Sequence, residues 1–320
     1  MAEWQSGHAA DCKSVYAGSI PTSASIKIMK KITKAIIPVA GFGTRMLPAT
    51  KAIPKELLPI VDKPLIQYIL EEAIQGGIKE IIFVTRSGKE AIENHFDENF
   101  ELEDRLASSG KRKMLKSIKN LIPKGIKISS LRQKNPKGLG HAILCAEHVI
   151  KEENFAVFLP DEILLSSNKK NDFSKMMSFY NKNGEGQILV EKVKKSEVSN
   201  YGIIDINSKR LNLKSPKRIK KLVEKPNVQR APSNFRVVGR YILPFQLMTL
   251  IKRTPPDKSG EVQLTDAIDK LIKLGEKPIN AVLSDSKIFD CGSKKGFLGA
   301  NISIAIKDKE LRKYIKRIID

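Results

Sequence analysis

The sequence contains little of what several classes of protein need. Only three of its 320 residues are cysteines, Cys12, Cys145 and Cys291, and they lie far apart without metal-ligand spacing. This argues against a disulfide scaffold or a zinc site, and we expect reduced, buried thiols. No window reaches the roughly 18 uninterrupted apolar residues of a membrane-spanning helix, and no secretory signal is recognisable. We therefore expect a cytoplasmic protein with no membrane partner.

Histidine and aromatic residues are also scarce. The four histidines, His8, His95, His141 and His148, form no visible triad with serine or cysteine, and we expect structural or surface roles for His141 and His148. Aromatic residues make up 6% of the chain, which leaves few platforms on which nucleic-acid bases could stack.

Positive charge, by contrast, is abundant. There are 57 Lys and Arg residues against 35 Asp and Glu, which gives a net charge of +22. Such an excess fits nucleic acid, an anionic membrane surface or a polyphosphate substrate. Because the lysines are spread through nearly every segment, we interpret them as a solvated surface and expect no nucleic-acid partner. A nucleic-acid-binding protein stays the remote alternative, which a salt series would reveal.

Residues 1–28 differ from the rest of the chain, because they mix small and polar residues without apolar periodicity. We predict disorder there. Reverse translation of "DCKS" and "AGSIP" permits sequences that resemble parts of a tRNA gene, so a second hypothesis is that this segment extends a reading frame that really starts at Met29. We place a catalytic domain at 29–296 and a C-terminal helix at 297–320.

Short apolar runs alternate with amphipathic segments from Lys34 onward, which is typical of β-α-β units around a mostly parallel sheet. Strands are predicted at 34–40, 80–86, 127–133, 155–161 and 186–193, and helices at 65–77, 89–96, 140–150, 173–184, 244–253 and 263–275. The short β segments between 201 and 244 predict a smaller β-rich insertion against this sheet. The fold class is therefore α/β.

The stretch "PVAGFGTRMLPATKAIPKELLPIVDKP" directly follows the first predicted strand, where ligands bind in open α/β sheets. Gly41 and Gly43 let backbone N–H groups approach phosphate oxygens closely. Arg45 and Lys55 add full positive charges. The segment therefore predicts an anion site, with a tight turn that binds nothing as the alternative.

Two better-known phosphate loops fit this segment poorly. A Walker loop requires GxxxxGK[ST], which is missing, and a dinucleotide fingerprint requires a third glycine where this chain has Met46.

Two aspartates follow predicted strands directly. Asp161 ends "FAVFLPD", and Asp290 ends "KIFD" just before Gly292. Mg²⁺ binds through one or two carboxylates together with substrate phosphates, so both residues are candidate metal ligands. Capping of a turn is the alternative for each.

The segment "PVAGFGTRMLPATKAIPKELLPIVDKPLIQYILEEA", residues 38–73, closely resembles the signature of bacterial UTP–glucose-1-phosphate uridylyltransferases. The similarity runs through "RQKNPKGLGHAILCA", "FLPDEIL", "YGII", "VEKP", "APSNFRVVGRYIL", "GEVQLTDAI" and "FDCGSKKGF", over roughly residues 32 to 300. The form AGxGTR is closer to this branch than to the thymidylyl, guanylyl or adenylyl branches. The resemblance implies a Rossmann-like nucleotidyltransferase fold and Mg²⁺-dependent synthesis of UDP-glucose and pyrophosphate.

The resemblance also implies site residues. It assigns Asp161 and Asp290 to the metal, Glu224 to sugar hydroxyls, Lys225 to the sugar phosphate, and Gly202 to close approach of the sugar. In "VEKP", Pro226 favours an extended Lys225, which would place the side chains of Glu224 and Lys225 on opposite faces. An exposed ion pair that contributes little is the alternative.

The same similarity assigns Gln133 and Gly138 to uracil, with Ala40 and Gly41 lining that pocket. A plain loop before a helix is the alternative. Asn135-Pro136 departs mildly from the pattern, and Glu162 stands where an apolar residue is more usual. Glu162 could alter metal binding or simply face solvent.

A sugar phosphate is already ionised near neutral pH, so the reaction needs positioning and charge neutralisation rather than a general base. We expect Arg45, Lys55, Asp161 and Lys225 to carry the catalysis with UTP and glucose 1-phosphate as substrates. A related transferase that uses dTTP or another hexose phosphate is the alternative. Because family members are often dimers or tetramers, the resemblance further implies a homo-oligomer.

Overall fold

The computed structural model of the protein describes residues 31–206 and 211–319. The segment 1–28, for which we predict disorder or an extended reading frame, lies outside the described residues. Within them, the strands are β1 (Lys34–Pro38), β2 (Pro59–Ile60), β3 (Lys63–Pro64), β4 (Glu80–Thr85), β5 (Lys127–Arg132), β6 (Phe155–Phe158), β7 (Glu162–Leu165), β8 (Gly186–Lys192), β9 (Gly202–Ile206), β10 (Lys217–Glu224), β11 (Phe235–Leu243), β12 (Ile279–Leu283) and β13 (Lys287–Asp290).

The helices are α1 (Leu65–Gln75), α2 (Glu90–Phe96), α3 (Phe100–Ser108), α4 (Arg112–Lys119), α5 (Gly138–Leu144), α6 (Glu147–Ile150), α7 (Asp172–Asn183), α8 (Leu247–Lys252), α9 (Leu264–Leu274), α10 (Lys294–Ala305) and α11 (Lys309–Ile319). Short 3-10 turns cover Thr44–Met46, Ala49–Lys51, Lys55–Leu57 and Lys195–Asn200. In the described part of the chain no helix is long and apolar enough to cross a bilayer.

A nine-stranded sheet forms the centre of the molecule, in the order β5-β4-β1-β6-β11-β8-β12-β10-β9. Its strands all point in one direction except β10 and β11, which run antiparallel to their neighbours. Apolar clusters cover both faces, and alternate residues of one strand serve opposite clusters, as Ile36 and Ile37 of β1 do. The five predicted strands are confirmed, and the sheet is mixed.

Helix α1 shows why the predicted helices form. Ile66, Ile69, Leu70 and Ala73 recur at helical spacing, and all four are fully buried against the sheet. The helix ends at Gly76, where a Cβ atom would lie 2.2 Å from the Phe173 ring of α7. This close approach of two helix ends therefore requires glycine.

The segment between 201 and 244, predicted as a smaller β-rich insertion against the sheet, is instead part of the sheet itself. Strands β9 and β10 extend the main sheet at one edge, while β11 lies between β6 and β8 and is buried along its whole length. An apolar run of this length, "FRVVGRYIL", is typical of a central strand that is covered on both faces.

Three helical segments also differ from the prediction. The single helix expected over 140–150 consists of α5 and α6, and the C-terminal helix expected over 297–320 consists of α10 and α11, with α10 beginning at Lys294. The side chain of Ser293 caps α10 by accepting a hydrogen bond from the N–H of Gly296. Helices α3 and α4 were not predicted, because their sequences bury almost nothing: Leu106 is the one buried residue of α3, and α4 has none.

Candidate functional site

A cleft of about 1060 Å³ opens beyond the carboxyl ends of β1 and β6. Its lining includes seven of the residues that the sequence predicted for the site, which are Arg45, Lys55, Asp161, Gly202, Glu224, Lys225 and Asp290. The other predicted residues are not part of this lining: Ala40, Gly41 and Gly43 follow β1, Gln133 follows β5, and Gly138 begins α5.

Four charged side chains converge at one end of the cleft, and we call Arg45, Lys55, Asp161 and Asp290 the four-charge cluster. Lys55 Nζ lies 2.8 Å from Asp161 Oδ2. The guanidinium of Arg45 bridges the two carboxylates, because Nη1 lies 3.2 Å from Asp290 Oδ2 and Nη2 lies 3.7 Å from Asp161 Oδ2. Residues separated by up to 245 positions in the chain are thus in contact.

The charges within the cluster stabilise one another. Burial disfavours charge on Asp161, but the neighbouring Lys55 and Arg45 outweigh it and lower the pKa of this carboxyl group. Burial likewise disfavours charge on Lys55, yet Asp161 and Glu56 raise the pKa of its ammonium. Both groups are therefore ionised at neutral pH.

Strand pairing brings the two aspartates together. In the antiparallel pair of β7 and β13, Asp290 lies opposite Glu162, and the N–H of Cys291 donates to the carbonyl of Asp161 at 2.7 Å. Asp290 Oδ1 also accepts the N–H of Gly292 at 2.9 Å, so this residue does cap its turn. Its other oxygen, Oδ2, faces Arg45, so capping does not remove Asp290 from the cluster.

The donor set of Asp161 and Asp290 suits Mg²⁺. Both are carboxylates, the ligand type that this ion prefers, and both face the same guanidinium. Within residues 31–206 and 211–319, no group of three or more His, Cys, Asp or Glu side chains is arranged to hold a metal. A site here would therefore be completed by substrate oxygens and water.

A fully buried arginine fixes the backbone that carries Asp161. Arg240 of β11 pairs with Glu72 of α1, the shortest N–O distance being 2.7 Å. Its two terminal nitrogens also donate to the carbonyls of Leu159 at 3.1 Å and Glu162 at 2.8 Å. Because these carbonyls flank Asp161 on both sides, Arg240 determines where that carboxylate lies.

The loop that carries Gly41 and Gly43, which we call the glycine loop, packs against Lys55. Gly43 has a φ of 69°, which L side chains rarely adopt, and a Cβ atom there would lie 3.2 Å from Lys55 Cβ. The hydroxyl of Thr50 donates to the carbonyl of Gly43 at 2.7 Å. Gly41 is exposed and Ala40 is buried, so the loop leads from the sheet to the cluster.

Behind Lys55 lies a second ion pair that the sequence analysis missed. Lys89 Nζ lies 2.6 Å from Glu56 Oε2, and both side chains are almost completely buried. Burial is the largest influence on Lys89 and lowers the pKa of its ammonium group. The loop after β4 is also joined to the glycine loop where Arg86 stacks on Phe42, 4.1 Å from the ring centre.

Gln133 is 5% exposed, and its amide group has a defined orientation. Nε2 lies 3.3 Å from the carbonyl of Gly138 and 2.9 Å from His141 Nδ1. A carbonyl can only accept, so the amide nitrogen must face it and His141 Nδ1 must be the unprotonated ring nitrogen. Burial, followed by Lys137, lowers the pKa of His141 and favours this neutral form.

The loop after Gln133 is held against the segment before α9. Gly138 has a φ of 89°, and a Cβ atom there would lie 2.8 Å from Glu261 Cβ. The unusual pair Asn135 and Pro136 is exposed and leaves Gln133 in place. Glu261 also lines the cleft, although nothing in its local sequence marks it as a site residue.

The other end of the cleft carries Gly202 and the segment of Glu224 and Lys225, which we call the Glu224–Lys225 turn. The expectation that Lys225 is extended and on the face opposite Glu224 is wrong. Its φ is 41°, and its Nζ lies 3.3 Å from Glu224 Oε1. The N–H of Lys225 donates to the carbonyl of Tyr201 at 3.1 Å, which holds the residue in this sparsely populated conformation.

Glu162 does not simply face solvent, which was one of its two expected roles. It is 8% exposed, and its carboxylate pairs with Arg236 at 2.5 Å and accepts the N–H of Gly239 at 2.7 Å. The signal that could have revealed this pair is Arg236 itself, a charged residue inside the apolar run "FRVVGRYIL".

The remaining cysteines and histidines contribute less. Cys145 is half-buried and Cys291 is buried, and neither forms a disulfide, while Cys12 lies outside the described residues. Burial raises the pKa of the Cys291 thiol to about 12. His148 is exposed, in agreement with its predicted surface role, whereas His141 contacts Gln133 and so has a place beside the site.

Comparison with known proteins identifies the family of this chain. A family model described as "Nucleotidyl transferase" matches residues 34–306. The chain is 46% identical over 289 residues to the UTP–glucose-1-phosphate uridylyltransferase of Haemophilus influenzae, an alignment that covers 89% of this chain and 97% of that protein.

Solved structures give the same result. A UTP-bound UGPase from Acinetobacter baumannii matches with a TM-score of 0.84 and 43% identity over 90% of this chain and 98% of that one. A UDP-glucose pyrophosphorylase complexed with UDP-glucose matches with a TM-score of 0.77 and 41% identity over 87% and 100% of the two chains. The chain belongs to the UTP–glucose-1-phosphate uridylyltransferase family of nucleotidyl transferases.

Proposed function

We propose that this protein transfers a uridylyl group from UTP to glucose 1-phosphate, which gives UDP-glucose and pyrophosphate. The observation that carries the proposal is the division of one cleft: the four-charge cluster lies at one end, and Gly202 with the Glu224–Lys225 turn lies at the other. A triphosphate and a sugar phosphate can therefore meet in the same space.

In the proposed reaction, a phosphate oxygen of glucose 1-phosphate attacks the α-phosphorus of UTP, and the bond from that phosphorus to the bridging oxygen of pyrophosphate breaks. Arg45 and Lys55 bind the triphosphate, and Gly41 and Gly43 offer it backbone N–H groups. Lys225 binds the sugar phosphate. No proton has to be removed, because the attacking oxygen is already ionised.

The remaining residues hold the two substrates and a metal ion. Gln133 has its amide oxygen available for the uracil edge, since Nε2 is engaged by Gly138 and His141. Glu224 accepts hydrogen bonds from sugar hydroxyls. Asp161 and Asp290 would hold Mg²⁺, which when bound supplies charge neutralisation at the phosphates.

The test measures pyrophosphate release by the full chain with Mg²⁺ and each combination of UTP or dTTP with glucose 1-phosphate or galactose 1-phosphate. We expect release to be fastest with UTP and glucose 1-phosphate. Release that depends on dTTP would reassign the protein to thymidylyl transfer and contradict the role of Gln133. A folded protein that releases no pyrophosphate with any pair would overturn the proposal.

A further inference from the structure

The floor of the cleft contains a buried ion-pair network that none of the proposed substrate or metal contacts explains. Arg236 Nη1 lies 2.5 Å from Glu162 Oε1, while Nε and Nη2 each lie 2.8 Å from Glu191 Oε2. The guanidinium lies over the Tyr201 ring, 4.6 Å from its centre. Arg236 lines the cleft although only 5% of the residue is exposed. It therefore supports the cleft from below.

The Arg236–Glu162 pair is almost completely buried, whereas the side chain of Glu191 is 32% exposed. Burial disfavours the charged guanidinium, but Glu162 and Glu191 outweigh burial and raise the pKa of Arg236. The second oxygen of Glu162 is held by the N–H of Gly239. A planar guanidinium that is bonded along two edges and stacked on a ring has one orientation, and the shorter, point-charged lysine could not reproduce it.

Tyr201 links this network to the Glu224–Lys225 turn. Its carbonyl accepts the N–H of Lys225 at 3.1 Å, and Gly202 follows it directly. Arg236 also pairs with Ile203 across the sheet. A displacement of Tyr201 would therefore move Gly202 and the backbone of Lys225 together.

We propose that Arg236 is a positioning residue for the glucose 1-phosphate part of the site. Its hydrogen-bonding edges are occupied by Glu162 and Glu191, so it acts by holding Tyr201 and not by contacting substrate. The inference rests on the proposed function, because it assigns a sugar phosphate to that end of the cleft.

The first experiment compares Arg236→Met with Lys252→Met, a control that breaks an ion pair with Glu147 outside the cleft. In Arg236→Met, we expect KM for glucose 1-phosphate to rise roughly 10-fold, the size of one lost hydrogen-bonded contact, while KM for UTP is unchanged. The control should change neither constant. An equal rise of both KM values in Arg236→Met would overturn the inference.

Because Arg236→Met leaves the carboxylate of Glu162 buried without its cationic partner, the second variant removes both charges. Replacing a buried ion pair by uncharged residues is often neutral for stability, and a glutamine oxygen can still accept the N–H of Gly239, so Glu162→Gln/Arg236→Met should regain the thermal midpoint that the single variant loses. We expect KM for glucose 1-phosphate to stay raised, because Tyr201 still lacks its guanidinium. A return of this KM to the parent value would reduce Arg236 to a purely structural role.

Binding without turnover separates this inference from the proposed function. Calorimetric titration of the parent with UDP-glucose and with UDP gives the ratio of the two affinities, which measures what the sugar adds to binding. We expect that ratio to fall about 10-fold in the double variant, with UDP affinity unchanged. A parent that binds neither ligand contradicts the proposed function, whereas an unchanged ratio in the double variant contradicts only the role of Arg236.

Discussion

The two ends of the cleft are supported in different ways. Beneath the four-charge cluster, the fully buried Arg240 pairs with Glu72, whose side chain is 9% exposed, and donates to the carbonyls on both sides of Asp161. At the Glu224–Lys225 turn the support is indirect, because it passes through Tyr201 and a backbone with positive φ. One end is thus anchored in the core, while the other stores conformational strain at the surface.

The largest effect should come from breaking the core support. Arg240→Met leaves the carboxylate of Glu72 buried without its partner, so we expect the free energy of unfolding to fall by about 3–5 kcal/mol in urea denaturation. The double variant Glu72→Leu/Arg240→Met should recover only part of this loss, because the carbonyls of Leu159 and Glu162 still lack the donor that Arg240 supplied. A single variant as stable as the parent would show that the two ends of the cleft do not differ in this respect.

Asp161→Asn tests the four-charge cluster without removing the hydrogen bonds from Arg240 that support the backbone there. The substitution keeps the shape of the side chain but removes the charge that faces Lys55 and Arg45. We expect kcat for pyrophosphate release to fall roughly 100- to 1000-fold, as when one transition-state contact is lost, while far-ultraviolet circular dichroism stays unchanged. Near-normal turnover at saturating Mg²⁺ would exclude Asp161 from the metal site.

Two substitutions of Lys225 measure the strain at the opposite end. Lys225→Gly and Lys225→Ala both remove the ammonium group, so both should raise KM for glucose 1-phosphate to a similar extent. Only glycine adopts positive φ without cost, so we expect the glycine variant to be more stable than the alanine variant by about 1–2 kcal/mol. Equal unfolding midpoints in urea would mean that this backbone is not strained.

The smallest effect concerns the pH dependence of Gln133. The pKa of His141 in the folded protein is lowered from its ordinary value of 6.5, so the unfolded chain takes up the proton first. The stabilisation from neutral His141 is therefore complete above pH 6.5 and is lost as pH falls through the lowered value. Protonated Nδ1 would no longer accept the amide of Gln133, and we expect KM for UTP to rise a few-fold there.

His141→Asn is the matched variant for this pH effect. Its side-chain oxygen can accept from Gln133 and does not titrate between pH 5 and 8, so the dependence of KM for UTP on pH should become flatter. A variant with the same profile as the parent would assign the pH dependence to another group, such as the substrate phosphates.

The sequence predicted best what is local. Strand β1, the glycine loop and Lys55 lie within one continuous segment, where periodicity and residue type are sufficient to predict a strand followed by a loop, and Lys55 of this loop does line the cleft. Asp161 and Asp290 were predicted separately, each from its position at the end of a strand. Their contact through Arg45 depends on the pairing of β7 with β13, which a pattern of single residues does not contain.

Prediction failed where contacts distant in the chain decide the conformation. The proline after Lys225 favours an extended residue, but the hydrogen bond to Tyr201 prevails over that local preference. Glu162 resembled a surface residue in the sequence, because its partner Arg236 lies on another strand. Strand β11 was predicted to belong to an insertion, because its own sequence does not specify which strands lie beside it.

The position of β11 has a consequence for how the protein is made. Strands β6 and β8 leave the ribosome early, yet they are neighbours only through β11, which ends at Leu243. Until that residue has emerged, each of them has an edge with unpaired backbone groups, and such edges are templates for aggregation. The nascent chain is therefore the stage at which these two strands have the most unpaired edge, and slow translation before residue 243 would lengthen that exposure.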